Sequence, residues 1–149
     1  MRLVVDTSVL VGELVREAGR ERLRDNRLNL FLPERMWQET QWMLPARIER
    51  FGEQHGLALP TQRDLVTACL EAVMGNVDIV AEPIYLARED EARARSLRDP
   101  DDWPVVACAL SLGDGVWTND NDFLGTGVPT WTTATLDLWL QRADPADKT

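Results

Sequence analysis

A chain of 149 residues with 44% hydrophobic and 28% charged residues suits one globular domain with a full core, and no apolar run approaches the ~20 residues of a membrane helix. A formal charge of −9 excludes bulk electrostatic attraction as the way this protein would hold nucleic acid, and leaves only locally basic paths. The first residues, Met1 to Asp6, read as a strand and not as a signal peptide, and Cys69 and Cys108 both fall in helical patterns as buried thiols, so a cytoplasmic location is expected.

The apolar run 3–5 ends in Asp6, the pattern of a buried parallel strand. Val9, Leu10, Leu14 and Val15 are spaced for a helix over 9–16, with Thr7 or Ser8 available as its cap. A short helix and a turn fill 19–27, and Leu28, Leu30 and Leu32 alternate along a second strand. Pro33 opens a long helix carrying Met36, Trp37, Glu39 and Leu44; Pro45 should kink or break it, with a further helix to about Gly56. Pro60 begins another helix that Gly75 and Asn76 end. A third strand is expected over 77–81 and one helix over 82–97. The turn at 99–102 caps a helix over 103–112. Strands at 116–118 and 128–131 and a helix at 133–141 complete a single domain, 1–143, with a disordered tail at 144–149.

Strands alternating with helices predict a parallel sheet covered on both faces, with ligands beyond the carboxyl ends of its strands. Asp6 and Asp120 both fall just past strand ends, and Asp102, opening a helix, can join them. Carboxylates brought together repel and lose hydration, so a fold that gathers them normally neutralises them with a divalent cation. Each acid also has a simpler reading. Asp6 would cap a helix, and Glu39 would be an exposed helix residue with Glu34 as its rival. Asp99, Asp101 and Asp102 would answer a helix dipole, and Asp120 and Asp122 would serve a turn. Those readings leave unexplained why Asp6, Asp102 and Asp120 coincide at one rim.

The ordered set Val-Val-Asp6-Thr7-Ser8, Gln38-Glu39-Thr40, Asp102 ahead of Val-Val-Ala-Cys-Ala-Leu, and Thr118-Asn119-Asp120-Asn121-Asp122-Phe123 resembles the PIN-domain ribonucleases over nearly the whole chain. The resemblance implies a three-layer α/β/α sandwich with a mainly parallel sheet of about four or five strands. It implies Asp6, Glu39, Asp102 and Asp120 as the catalytic quartet, and Asp6, Asp102, Asp120 and Asp122 as ligands of Mg²⁺ or Mn²⁺. Thr7, Ser8 and Thr118 would be auxiliary hydroxyls. It further implies an RNA substrate cut to 5′-phosphate and 3′-hydroxyl ends. In size the chain is similar to the VapC-like toxins, which implies a basic antitoxin partner and a homodimer.

Other phosphate chemistries meet obstacles. A haloacid-dehalogenase phosphatase needs a second Asp at position 8, where Ser stands, and a core lysine that a receiver domain also needs. The one lysine is Lys148, in the tail, and there is no Gly-x-x-x-x-Gly-Lys for a nucleotide-binding loop. A catalytically silent module holding an Arg-rich partner in an acidic groove stays open, as does an RNA-processing nuclease without an antitoxin. Two arginine groups, Arg16/Arg20/Arg22/Arg24/Arg27 and Arg88/Arg93/Arg95/Arg98, are either basic paths or solvated helix faces. The tryptophans suit a core. The exceptions are Trp103, which could stack on a base, and Trp37 and Trp42, which could form a dimer contact. His55, before Gly56, reads as a helix-end residue and not a base.

Overall fold

The structure, a computed structural model, describes residues 1–143; the tail expected to be disordered lies outside the described residues. Five strands, β1 (Arg2–Val5), β2 (Asn29–Pro33), β3 (Val77–Val80), β4 (Gly115–Trp117) and β5 (Thr130–Trp131), form one sheet in the order β3-β2-β1-β4-β5. Every pairing is parallel.

Side chains alternate across the sheet with a period of two. Leu3, Val5, Leu30 and Leu32 enter one core, closed by α1 (Thr7–Leu14), α2 (Glu17–Leu23), α3 (Glu34–His55), α4 (Leu59–Asn76) and α8 (Thr133–Arg142). Val4, Val80 and Val116 enter the other, closed by α5 (Glu82–Tyr85), α6 (Glu89–Arg95) and α7 (Trp103–Leu112). The result is the three-layer α/β/α arrangement expected. Both cysteines are buried free thiols, and no helix among the described residues is long and apolar enough to cross a membrane.

The chain winds from β1 outward to β3, then crosses to the other side of β1 to lay down β4 and β5. The switch point therefore lies between β1 and β4, where the two following connections leave in opposite directions and open a crevice. Asp6 follows β1 and Asp120 follows β4, so the topology alone brings these two acids to the crevice.

Two predicted helices differ in their continuity. α3 runs unbroken through Pro45. Proline there forfeits the bond to the carbonyl of Gln41, but both residues are exposed, so water can satisfy that oxygen, while the buried Leu44 and Ile48 hold the helix on the core. The helix expected over 82–97 is instead α5, a 3-10 turn at Leu86–Arg88, and α6. Tyr85 is fully buried at the break, and its hydroxyl accepts a bond from the Arg35 N–H at 3.3 Å, which fixes where the chain turns.

Candidate active site

At the crevice the Asp6 N–H donates to the Trp117 carbonyl at 3.0 Å, continuing the ladder one residue past β1. The Asp6 side chain is only 7% exposed. Its Oδ2 accepts bonds from Ser8 Oγ at 2.8 Å and Thr118 Oγ1 at 2.9 Å. Thr118 Oγ1 in turn accepts the Asp120 N–H at 3.0 Å. One buried hydroxyl thus ties the strand-end carboxylate to the backbone of the next acid. Asp120 folds its own turn, its Oδ1 accepting the Asp122 N–H at 2.9 Å.

The third wall is the segment ahead of α7. Asp99 Oδ1 accepts the Asp101 N–H at 3.0 Å, shaping a 3-10 turn that delivers Asp102 to the start of the helix. The fourth wall is α3, whose Met36, Glu39 and Met43 recur at helical spacing along one face. Together with Thr7, Ser8, Asp99, Asp101, Asp102 and Asp120 they line a cleft of about 290 Å³.

The electrostatics follow from this crowding. Burial first, then the charges of Asp99, Asp6, Asp120 and Asp122, push the Asp102 carboxyl from its ordinary 3.8 up to about 7. Burial also raises Asp6, against the pull of the Ser8 and Thr118 hydroxyls. At the edge of this cluster Arg98 pairs with Asp122 at 3.1 Å. One carboxylate oxygen each from Asp99, Asp102 and Asp122 lie within 4.8 Å of one another. All the donors are hard oxygens, as Mg²⁺ or Mn²⁺ requires. Thr7 Oγ1 is buried on the cleft wall with no hydrogen-bond partner. An orphaned hydroxyl beside carboxylates that resist ionisation together fits a hydrated divalent cation.

Of the residues singled out in the sequence, Asp6, Thr7, Ser8, Glu39, Asp102 and Asp120 line this one cleft. Thr118 is buried behind Asp6, and Asp122 stands beside Asp102 and Asp99. Glu34 is elsewhere: its Oε2 accepts the Glu82 N–H at 3.0 Å at the start of α5. Trp103 is no stacking platform, being 3% exposed, 6.1 Å from the Tyr85 ring and covered by the guanidinium groups of Arg35 and Arg93. His55 closes α3, its Nδ1 2.8 Å from the Phe51 carbonyl. The sequence reading assigned Asp99 to capping alone; it also joins the acid cluster. The signal was its place in a run of three acids, two of which a cap does not need.

Most of the two arginine groups is paired with acids; Arg20 donates instead to the Leu14 carbonyl, and Arg24 is exposed without an ion pair among the described residues. Arg16 and Arg22 pair with the buried Glu13, Arg22 also with Asp137, and Arg27 with Asp25. Arg88, Arg93, Arg95 and Arg98 pair with Glu91, Glu89, Glu91 and Asp122.

These features define a class: α/β proteins with a carboxylate cleft at the switch point of an all-parallel sheet. A model of the PIN domain matches residues 4–141, and the chain belongs to that family, whose members are generally nucleases that use divalent metals. No curated protein matches the chain significantly.

Proposed function

We propose that this protein is a Mg²⁺- or Mn²⁺-dependent ribonuclease that hydrolyses phosphodiester bonds. The observation that carries this reading is the convergence of Asp6, Glu39, Asp102 and Asp120, from four separate elements, on one cleft. A charge arrangement so unfavourable to the empty protein is explained by a cation that it binds.

Asp6, Asp102 and Asp120 would hold the cation, with Asp99 and Asp122 completing the acidic wall. When bound, the metal supplies charge neutralisation at the scissile phosphate and lowers the pKa of a water. Ser8 and Thr118 fix the rotamer of Asp6, so its carboxylate is set before substrate arrives. Glu39 stands exposed on the opposite wall, where it can accept a proton from water attacking the phosphate. Met36 and Met43 add apolar surface to that wall on either side of Glu39.

The test is cleavage of single-stranded and structured RNAs with and without Mn²⁺. Asp6→Asn and Asp120→Asn should each lower kcat by on the order of 10³-fold, because several kcal/mol of transition-state stabilisation leave with the cation. Wild type and both variants equally inert on varied RNAs would instead favour a silent module holding an Arg-rich partner. A toxin whose basic antitoxin fills this cleft is the cellular role we favour, on the strength of the −9 charge and the acidic cluster. A native complex with a small basic protein, seen by mass measurement, is its readout.

A further inference from the structure

The arginines of the two sequence groups are largely consumed by acids of the same chain; Arg47 and Arg50 are not. Both are exposed on α3, and among the described residues neither has an ion-pair partner, the nearby Glu49 and Glu53 included. They share one pocket of about 240 Å³ with Val15, Phe51 and Gln54.

The position of that pocket is informative. On α3, residues 36, 39 and 43 line the acidic cleft and 47, 50 and 54 the arginine pocket. Steps of three and four residues put all six on one helical face. α1 gives the same sequence of places: Thr7 and Ser8, at its start, line the cleft, and Val15, at its C-cap, lines the arginine pocket. α1 and α3 pack against each other. Along this helix pair the carboxylates therefore stand toward one end and two guanidinium groups without an ion-pair partner toward the other. At a rise of ~1.5 Å per residue, Arg47 and Arg50 lie about 12 and 16 Å beyond Glu39 along the helix.

We propose that Arg47 and Arg50 bind backbone phosphates of the RNA strand that leaves the acidic cleft along the α1–α3 helix pair. This rests on the ribonuclease reading for the strand's starting point. Guanidinium groups match phosphate oxygens in charge and in fork geometry. The Phe51 ring, stacked on His55 with centroids 4.0 Å apart, lines the same pocket. Such a contact resolves a difficulty that the net charge raises. An acidic protein gains no affinity from its overall field, so RNA needs a local cationic anchor set apart from the metal cleft.

The experiment uses the full chain, with binding of a fluorescent single-stranded dodecaribonucleotide read by anisotropy in EDTA. The double variant Arg47→Ala/Arg50→Ala should bind about tenfold more weakly, and its salt slope should fall by about 1.4, at ~0.7 per phosphate lost on a single strand. Arg47→Lys/Arg50→Lys should recover most of the affinity. With Mn²⁺, the double alanine variant should raise KM for the dodecamer and leave kcat unchanged. Cleavage of a dinucleotide, too short to reach the arginines, should not change. Unaltered affinity and salt slope would overturn the proposal, and so would an equal loss on both lengths. So would a variant that keeps RNA but loses an acidic peptide, since the pocket would then serve a protein. A wild type that holds RNA through these arginines yet never cuts it would sink the nuclease reading and leave this one standing.

Discussion

Asp102 should make the metal-free fold lose stability as pH rises, and a bound cation should reverse that loss. Its carboxyl titrates near 7 in the folded state against an ordinary 3.8. A carboxyl raised by folding favours the native state while protonated. Its contribution is complete below 3.8 and disappears as pH climbs through about 7. At ~1.4 kcal/mol per pH unit that interval corresponds to about 4 kcal/mol, and screening by water at the open mouth of the cleft reduces it to about 2. Somewhat over half of the change falls between pH 5 and pH 8, about 1 kcal/mol, or roughly 4 °C in Tm for a domain of this size. The comparison that isolates it is wild type against Asp102→Asn, melted in EDTA across that range. The asparagine variant should gain on the wild type by that margin toward pH 8. Millimolar Mn²⁺ at pH 8 should then raise the wild-type Tm and leave the variant nearly unmoved, since a ligand stabilises only a state that binds it. Parallel pH curves for the two proteins would refute the claim that Asp102 is crowded by its neighbours. A Tm indifferent to Mn²⁺ would refute the claim that a cation relieves the crowding.

Thr118→Val keeps the shape of the buried hydroxyl residue but removes both the bond to Asp6 and the acceptor for the Asp120 N–H, so Mn²⁺ affinity by calorimetry should fall ~10–100-fold with the fold intact. Affinity equal to wild type would show that Asp6 orients itself. Gly19→Ala would set a Cβ 2.1 Å from the Glu13 carbonyl oxygen, where backbone and not a flexible tip must yield. Urea unfolding should report a loss of about 2–3 kcal/mol, and a neutral result would mean that α2 can slide away from α1. Trp42 is 83% exposed on α3. If the expected homodimer uses that face, Trp42→Ser should halve the mass seen by light scattering without lowering the melting temperature of the protomer. A dimer that persists places the contact elsewhere.

The layered fold was legible because each local signal agreed with its neighbours. The apolar residues ahead of Asp6, the alternation through Leu28, Leu30 and Leu32, and Gly113 at φ 69 after α7 each say in sequence what the backbone does. The failures come where tertiary context outweighs a local rule. Pro45 is a helix breaker by its own chemistry, yet α3 continues because burial of Leu44 and Ile48 on either side exceeds the cost of one lost bond at a wet surface. The helix expected over 82–97 breaks because Tyr85 has to be buried, and composition does not encode which residue the core will claim. Trp103 was misread for the same reason. Its place after Asp102 is visible in sequence, but the Arg35 and Arg93 guanidinium groups that cover it come from other elements, α3 and α6.

The acids divide along a similar line. Asp6 and Asp120 were legible because topology alone brings the residues after β1 and β4 to a switch point, whatever the side chains. Asp102 and Glu39 needed more. A turn built by Asp99 had to aim one, and the stripe of Met36 and Met43 had to face the other into the crevice. The β4 strand shows how fine this dependence is. It runs Gly115–Trp117, where 116–118 was expected. The Thr118 N–H still donates to the Trp131 carbonyl at 2.9 Å, so the ladder fixes this residue while its hydroxyl reaches Asp6 at 2.9 Å. Loss of that hydroxyl would leave Asp6 buried with one donor fewer, and its carboxylate would be harder still to ionise.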